Sequence, residues 1–314
     1  MGKIIFKSSE HQALFDKQGF IVLPFLTQDE INTLNIFFDQ THPSLIENGF
    51  VSGSYSPDFN YKKTASDKIV EVFNRAYENY FVNYTPFGGA FLYKTPGNQS
   101  ALAAHQDWSI VNEETDIALN CWVPLCDITA DNGPIMILPG SQYSKHKALR
   151  APTLPFFFSG NDDVIMQQLE PMIVPAGTAV ILNQSVIHYS PANTSNTIRK
   201  AITAGVKSAG AQMYFHYKLP DENLLEVFKE DDDFLIRFDN FMEDIGERPK
   251  LGVSIGNKPY ELPQYNREEL INLTHQLKSD AGFEVKISQQ HKQTAQKPKP
   301  SFFSRLQSLF NSQT

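Results

Sequence analysis

His105 and Asp107 stand two positions apart in the stretch AAHQDWS, residues 103–109. If that stretch begins or ends a strand, the two side chains share a face, because strand side chains alternate. An imidazole nitrogen and a carboxylate oxygen on one stiff platform can grip a divalent metal, but two ligands hold it weakly. A third must come from elsewhere. Two histidines and one carboxylate would fill one face of an octahedral iron and leave the opposite positions open to other ligands. The chain has eight histidines, which keeps the search small. His11, His42 and His146 fall in helix or turn contexts, His216 in a late aromatic strand, and His275 and His291 in helical and tail segments. His188 differs, because it follows TAVILNQSVI, an apolar run that leaves the turn PAGT. Eleven residues further on, Arg199 opens the strand-like RKAITAG, with Ala201 and Thr203 on its face. A guanidinium turned into an apolar interior is costly unless an anion meets it, and a bidentate carboxylate does so best. Each residue alone has an ordinary structural explanation. Their joint arrangement inside one β-rich region points to a metal site beside an anion pocket.

Several kinds of element must carry these residues. In FDKQGFIVLPFLTQDEINTLNIFFDQ (15–40), IVLPF predicts a short strand ending at Pro24. Thr27 followed by Glu30 is a capping-box pattern that starts an amphipathic helix. Residues 42–64 are rich in Ser, Pro, Gly, Asn and Tyr and predict loop, and SDKIVEVFNRAYENYF (66–81) predicts a second helix. From about residue 88 the texture becomes β. GAFLYK, IALNCWVPL, PIMILPG, TAVILN and RKAITAGV are short runs separated by Pro, Gly, Asn and Asp, and AGAQMYFHYKL (209–219) adds one more. Short strands without intervening helices suggest an antiparallel sandwich or barrel of jelly-roll type. In the 117–125 run Asn120, Trp122 and Pro124 share one face, with Leu119, Cys121 and Val123 on the other.

The organisation expected is a single domain over 1–285. It has a β core at about 88–219 and a helical part over 220–285, where ENLLEVFKEDDDFLIRFDNFMEDIG and NREELINLTHQLKS have apolar residues at helical spacing. Residues 286–300 read as a polar, Pro-bearing disordered linker. Within 301–314, SFFSRLQSLF lines up apolar residues on one helical face, so residues 301–311 are a possible contact for a partner or a membrane surface.

Composition narrows the function classes. The 314 residues are 41% hydrophobic and 20% charged, a globular balance. A formal net charge of −8 argues against a nucleic-acid partner, which needs clustered Lys and Arg. No apolar run approaches the roughly 20 residues of a membrane span. The N-terminus lacks the pattern of a secretory signal, and Phe6 stands where a myristoylation motif wants Ser or Thr. Cys121 and Cys126 lie five positions apart and point to opposite faces of one strand, which predicts two reduced thiols rather than a disulfide. A cytoplasmic protein is expected.

On these residues the chain resembles the phytanoyl-CoA dioxygenase (PhyH) family of iron(II)/2-oxoglutarate-dependent oxygenases, from about residue 11 to residue 206. FDKQGFIVLPFLTQDEINTL is similar to the family's N-terminal signature, and LYKTPGNQSALAAHQD to the run into its metal pair. LNCWVPLCDITADNGPIMILPGS is similar to the stretch ending in a PGS turn, with Gln142 where a histidine is frequent. IHYSPANTSNTIRKA looks like the segment with the distal histidine and arginine, with Tyr189 where a glycine is frequent. The resemblance implies a double-stranded β-helix (jelly-roll, cupin-like) core with flanking helices, and His105, Asp107 and His188 as Fe(II) ligands. It further implies Arg199 and Ser190 on the distal carboxylate of 2-oxoglutarate, Trp122 lining the cosubstrate pocket, and O2 as co-reactant. Related halogenases replace the metal carboxylate with a small residue. Asp107 is present here, which favours hydroxylation or a related oxidation such as desaturation.

The substrate expected is a small molecule, with an apolar one among the options. The long segment 141–171 carries Phe156, Phe157 and Phe158 in sequence, which could line a channel or anchor the loop on the core. The acidic balance argues against a CoA thioester, whose phosphates want basic neighbours. Two rival readings stand beside the oxygenase. A cupin-like metal protein without 2-oxoglutarate would leave Arg199 unexplained, and a catalytically silent module acting through a partner would not need a complete triad.

Overall fold

The computed structural model describes residues 3–42, 48–143, 148–220, 222–238 and 246–285. The linker and tail expected at 286–300 and 301–314 lie outside the described residues. Helix α1 (Ser9–Gln18) is capped by the Ser8 side chain and ends at Gly19 with φ 82°. A side chain at Gly19 would also strike Gln142 and Val186, so both the turn and the close approach require glycine. Strand β1 (Phe20–Pro24) follows, then α2 (Gln28–Thr41), started by the expected Thr27–Glu30 capping box. After β2 (Phe50–Ser52), α3 runs over Phe59–Tyr80. It begins seven residues before the expected start at 66, because Asp58 caps it and Lys62, Ala65, Ser66 and Ile69 continue its buried stripe.

The strands that follow are β3 (Tyr84–Lys94), β4 (Leu102–His105), β5 (Ala118–Pro124), β6 (Met136–Ile137) and β7 (Glu170–Pro171). Helix α4 (Asp162–Gln168) precedes β7, and β8 (Thr178–Asn183), β9 (His188–Ser190) and β10 (Arg199–Ser208) come after it. They form two antiparallel sheets. The larger has the order β1-β8-β5-β10-β3-β2 and the smaller β4-β9-β6-β7. The chain crosses between the sheets after β3, β4, β5, β7, β8 and β9, so the strands wind as a double-stranded β-helix. The fold is mainly β with flanking helices, as the sequence predicted.

The alternation on β5 explains both faces of the larger sheet. Leu119, Cys121 and Val123 are fully buried in a core completed by Leu34 and Phe38 of α2 and Phe73 and Tyr77 of α3. Trp122 turns inward, to a second cluster with Ile135, Ile137, Val180 and Leu182 between the sheets. The helices thus seal the outer face, which leaves the inner face free to carry polar side chains at one end.

The helical reading of 220–285 is corrected in its first part. A third antiparallel sheet, in the order β11 (Met213–Lys218), β12 (Leu224–Glu230), β13 (Val253–Pro259), occupies this region, followed by the expected helix at Arg267–Asp280. LLEVFKE is too short for its period to distinguish helix from strand. Long-range pairing decides it, since β12 has a ladder partner on each side. Its buried Glu226 is satisfied by Arg248 Nε and Nη2 at 2.7 Å and by Ser254 Oγ at 2.6 Å. The strand expected at 209–219 forms, but it belongs to this third sheet rather than to the barrel.

Candidate active site

His105 closes β4 and His188 opens β9, and the two are register partners in the smaller sheet, with ring centroids 4.1 Å apart. Each ring is fixed by the carbonyl two residues earlier: His105 Nδ1 lies 2.8 Å from Ala103 O, and His188 Nδ1 lies 3.0 Å from Val186 O. A carbonyl only accepts, so each Nδ1 carries the proton and each Nε2 keeps its lone pair. Asp107 lies just past the strand end, with Oδ1 3.9 Å from His188 Nε2. One ligand atom from each of the three residues falls within 4.8 Å of the others. Burial first, and His188 second, push the His105 imidazole down to about 4, so it is neutral and able to ligate at physiological pH.

Asp107 is held at its carboxylate and at its main-chain carbonyl. Its Oδ2 accepts from Asn120 Nδ2 at 3.1 Å, and Thr203 Oγ1 donates to Asn120 Oδ1. Asp107 O accepts from Arg150 Nε at 2.8 Å, and the main chains of Ser109 and Arg150 are joined through Ser109 N to Arg150 O at 2.9 Å. Arg150 is itself buried and paired with Glu113. Trp108 packs edge-on against Phe215 of β11, which ties the ligand loop to the third sheet. Gln106 points away from the cluster and donates to Ser185 O.

Arg199 begins β10 opposite Lys94 of β3 and is 2% exposed. Its Nε and Nη1 are buried without a hydrogen-bond partner, and its guanidinium carbon lies 5.5 Å from the Trp122 ring centroid. Burial lowers the guanidinium to about 10, so it remains charged at neutral pH. Burial and the neighbouring Arg199 push Lys94 down to about 5. Its amine donates to Ser190 O at 2.9 Å and to Pro191 O, so Arg199 supplies the positive charge here. Arg199, Ser190, Trp122 and the His105–Asp107–His188 cluster line one cavity of about 150 Å³. The Ser190 hydroxyl donates to Gly133 O at 3.0 Å rather than into that cavity. The donor set fits a divalent ion, and the unpartnered guanidinium fits a carboxylate.

A second cavity of about 250 Å³ shares His105, Asp107, Asn120, Thr203 and Tyr55 with the first. Burial, then the Asp107 charge, raise the Tyr55 phenol well above its usual range, so it stays a neutral hydroxyl between the two spaces. Phe156 lines the larger cavity, whereas Phe157 and Phe158 are buried in a cluster with Leu169, Ile187 and Leu270. The phenylalanine run therefore does both things the sequence left open: one ring faces the cavity and two anchor the loop. Sequence reasoning missed the roles of Asn120, Arg150, Tyr55 and Gln184. Asn120 was visible as a polar residue on the Trp122 face, while Arg150 comes from a loop and Tyr55 from a short 3-10 turn after β2, whose paths no local pattern gives.

The chain is an antiparallel jelly roll with two histidines and an aspartate at its mouth that could together hold a metal ion. Residues 58–201 match the family model Phytanoyl-CoA dioxygenase (PhyH). The chain is 27% identical over 167 residues to phytanoyl-CoA dioxygenase domain-containing protein 1 of Danio rerio, covering 51% of this chain and 56% of that one. It is 24% identical over 143 residues to phytanoyl-CoA dioxygenase 1 of Oryza sativa subsp. japonica, covering 43% and 51%. The chain spans about half the length of the curated relatives it matches. Among solved structures it is similar to HygX from Streptomyces hygroscopicus with nickel and 2-oxoglutarate bound, at 16% identity and TM-score 0.49 over 69% of this chain and 92% of that one. It is also similar to EvdO2 from Micromonospora carbonacea var. aurantiaca complexed with 2-oxoglutarate, at 19% identity and TM-score 0.47 over 67% and 94%.

Proposed function

We propose that the protein is an Fe(II)- and 2-oxoglutarate-dependent dioxygenase that hydroxylates a small, largely apolar substrate. One observation carries this reading. The His105–Asp107–His188 cluster shares a cavity with Arg199, a buried cation whose Nε and Nη1 have no partner. Iron(II), 2-oxoglutarate and O2 together supply the oxidation of a C–H bond, with succinate and CO2 released.

The chain's own residues do the rest. His105, Asp107 and His188 would hold the metal, their lone pairs set by Ala103 O, Val186 O and the Asn120 amide. Arg199 would receive the far carboxylate of 2-oxoglutarate, with the Trp122 face against the guanidinium. Ser190 can join that carboxylate only by turning its hydroxyl away from Gly133 O. The second cavity would present substrate to the metal across Asp107 and Tyr55, and its apolar walls would keep water from the reacting carbon. Succinate formation, measured over a panel of small neutral metabolites with wild type and His188→Ala, tests the reading. Substrate-stimulated succinate in the wild type and none in the variant is expected; equal succinate from both contradicts it.

A further inference from the structure

The larger cavity has a polar residue that the iron and cosubstrate sites do not use. Gln184 follows β8 and lines the same cavity as Asp107, yet it is only 7% exposed. Its backbone N–H is bonded to Ala118 O, but its side-chain amide makes no hydrogen bond with any described residue, and Oε1 is buried without a partner. An amide taken out of water without a partner is costly, and such groups in native structures have a reason. The rest of the cavity supplies one. Its walls are apolar at Ala65, Phe87, Ile110, Phe156, Leu235 and Ile236, and Gln106, whose Oε1 is also buried without a partner, is tied through its amide nitrogen to Ser185 O. Among the described residues its one lysine, Lys62, is buried and donates to Phe238 O, and its one carboxylate is the candidate metal ligand Asp107. Both charges are thereby already engaged, so a charged substrate group would have to compete for them.

We propose that Gln184 is the specificity-determining residue of the substrate cavity, reading a single neutral hydrogen-bonding group, such as a hydroxyl, on an otherwise apolar small molecule. The assignment of substrate class rests on the oxygenase reading; the binding itself does not require iron. Turning the Gln184 amide lets either its oxygen or its nitrogen face the cavity, so it can match a donor or an acceptor. A volume of about 250 Å³ suits a compact molecule rather than a long chain held along its whole length.

The test uses the full-length, zinc-loaded protein, which cannot turn over, and four probes with one carbon skeleton: cyclohexanol, methylcyclohexane, cyclohexanecarboxylate and cyclohexylammonium. Binding is followed by ligand-observed NMR titration. Cyclohexanol is expected to bind best in the wild type, ahead of methylcyclohexane by about 3- to 10-fold, the worth of one neutral hydrogen bond. Gln184→Leu should erase that preference, leave methylcyclohexane binding intact, and melt no lower than wild type, because it removes an unpartnered amide. Gln184→Glu should shift the preference to cyclohexylammonium. A hydroxyl preference that survives Gln184→Leu, tighter binding of either charged probe to the wild type, no binding of cyclohexanol, or a loss of stability in Gln184→Leu would overturn the proposal. Because the zinc form needs no 2-oxoglutarate, any of these outcomes leaves the oxygenase reading to stand or fall on succinate formation.

Discussion

Replacing Arg199 with methionine should move ligand-free stability and cosubstrate affinity in opposite directions. In the ligand-free protein the guanidinium is 2% exposed and has two buried nitrogens without partners. Each unsatisfied group costs about 1–3 kcal/mol, and the Trp122 face returns roughly 0.5–2 kcal/mol. Arg199→Met, similar in volume and apolar, should therefore raise stability by about 1–4 kcal/mol, the range seen when buried charges give way to packed hydrocarbon. With 2-oxoglutarate bound the balance reverses. Removing one partner of a buried charge pair costs about 3–5 kcal/mol, which is roughly two to three and a half orders of magnitude in dissociation constant. Metal affinity should change little, since the ligand atoms come from His105, Asp107 and His188. Calorimetric melting of the ligand-free protein, metal titration, and 2-oxoglutarate titration of the metal-loaded protein give the three quantities. A methionine variant that melts lower than wild type, or that loses metal and cosubstrate affinity together, would show Arg199 to be a structural strut and refute the reasoning.

Other perturbations separate the remaining parts of the site. Asn120→Ala frees Asp107 Oδ2 and should weaken metal binding about 10- to 100-fold in a chelator competition, because outer partners of ligands carry that much. A methyl at Gly205 would overlap the Phe87 ring, which lines the larger cavity. Gly205→Ala should cost about 1–3 kcal/mol of stability and impair substrate-dependent succinate formation, with metal affinity unchanged by titration. Glu230 has a different signature. Burial, then the Asp231 charge, raise its carboxyl from 4.5 to about 7. Below pH 4.5 it is protonated folded or unfolded and exacts no penalty. Between 4.5 and 7 only the unfolded chain ionises, so stability falls as pH rises, and above 7 the loss is complete. The melting advantage of Glu230→Gln over wild type should thus be absent at pH 4.5 and full by pH 8; an advantage independent of pH would contradict this.

The sequence made some parts of this molecule legible because their causes are local or periodic. The capping box at Thr27 and Glu30, the run TAVILN and the alternation of Asn120 and Trp122 against Cys121 and Val123 all appear in the structure as read. The His-x-Asp spacing, with His188 and then Arg199 downstream, drew attention to residues that the barrel does bring together. What stayed hidden depends on distant chain. LLEVFKE becomes a strand because β11 and β13 flank it, and its Glu226 is tolerated because Arg248 reaches it. Arg150 reaches Asp107 O from a loop 43 residues away, and Tyr55 comes to the site from the turn after β2. The burial of the Gln184 Oε1 without a partner is a property of packing, which no pattern of neighbours along the chain encodes.

The central claim is that one metal and one 2-oxoglutarate share the space between the His105–Asp107–His188 cluster and Arg199. Anaerobic titration of the purified protein with Fe(II) and then 2-oxoglutarate tests it most directly. A weak visible absorption in the green region, saturating at one equivalent of each and absent when either is omitted, is the predicted result. Tight iron binding with no such absorption at saturating 2-oxoglutarate would contradict the account.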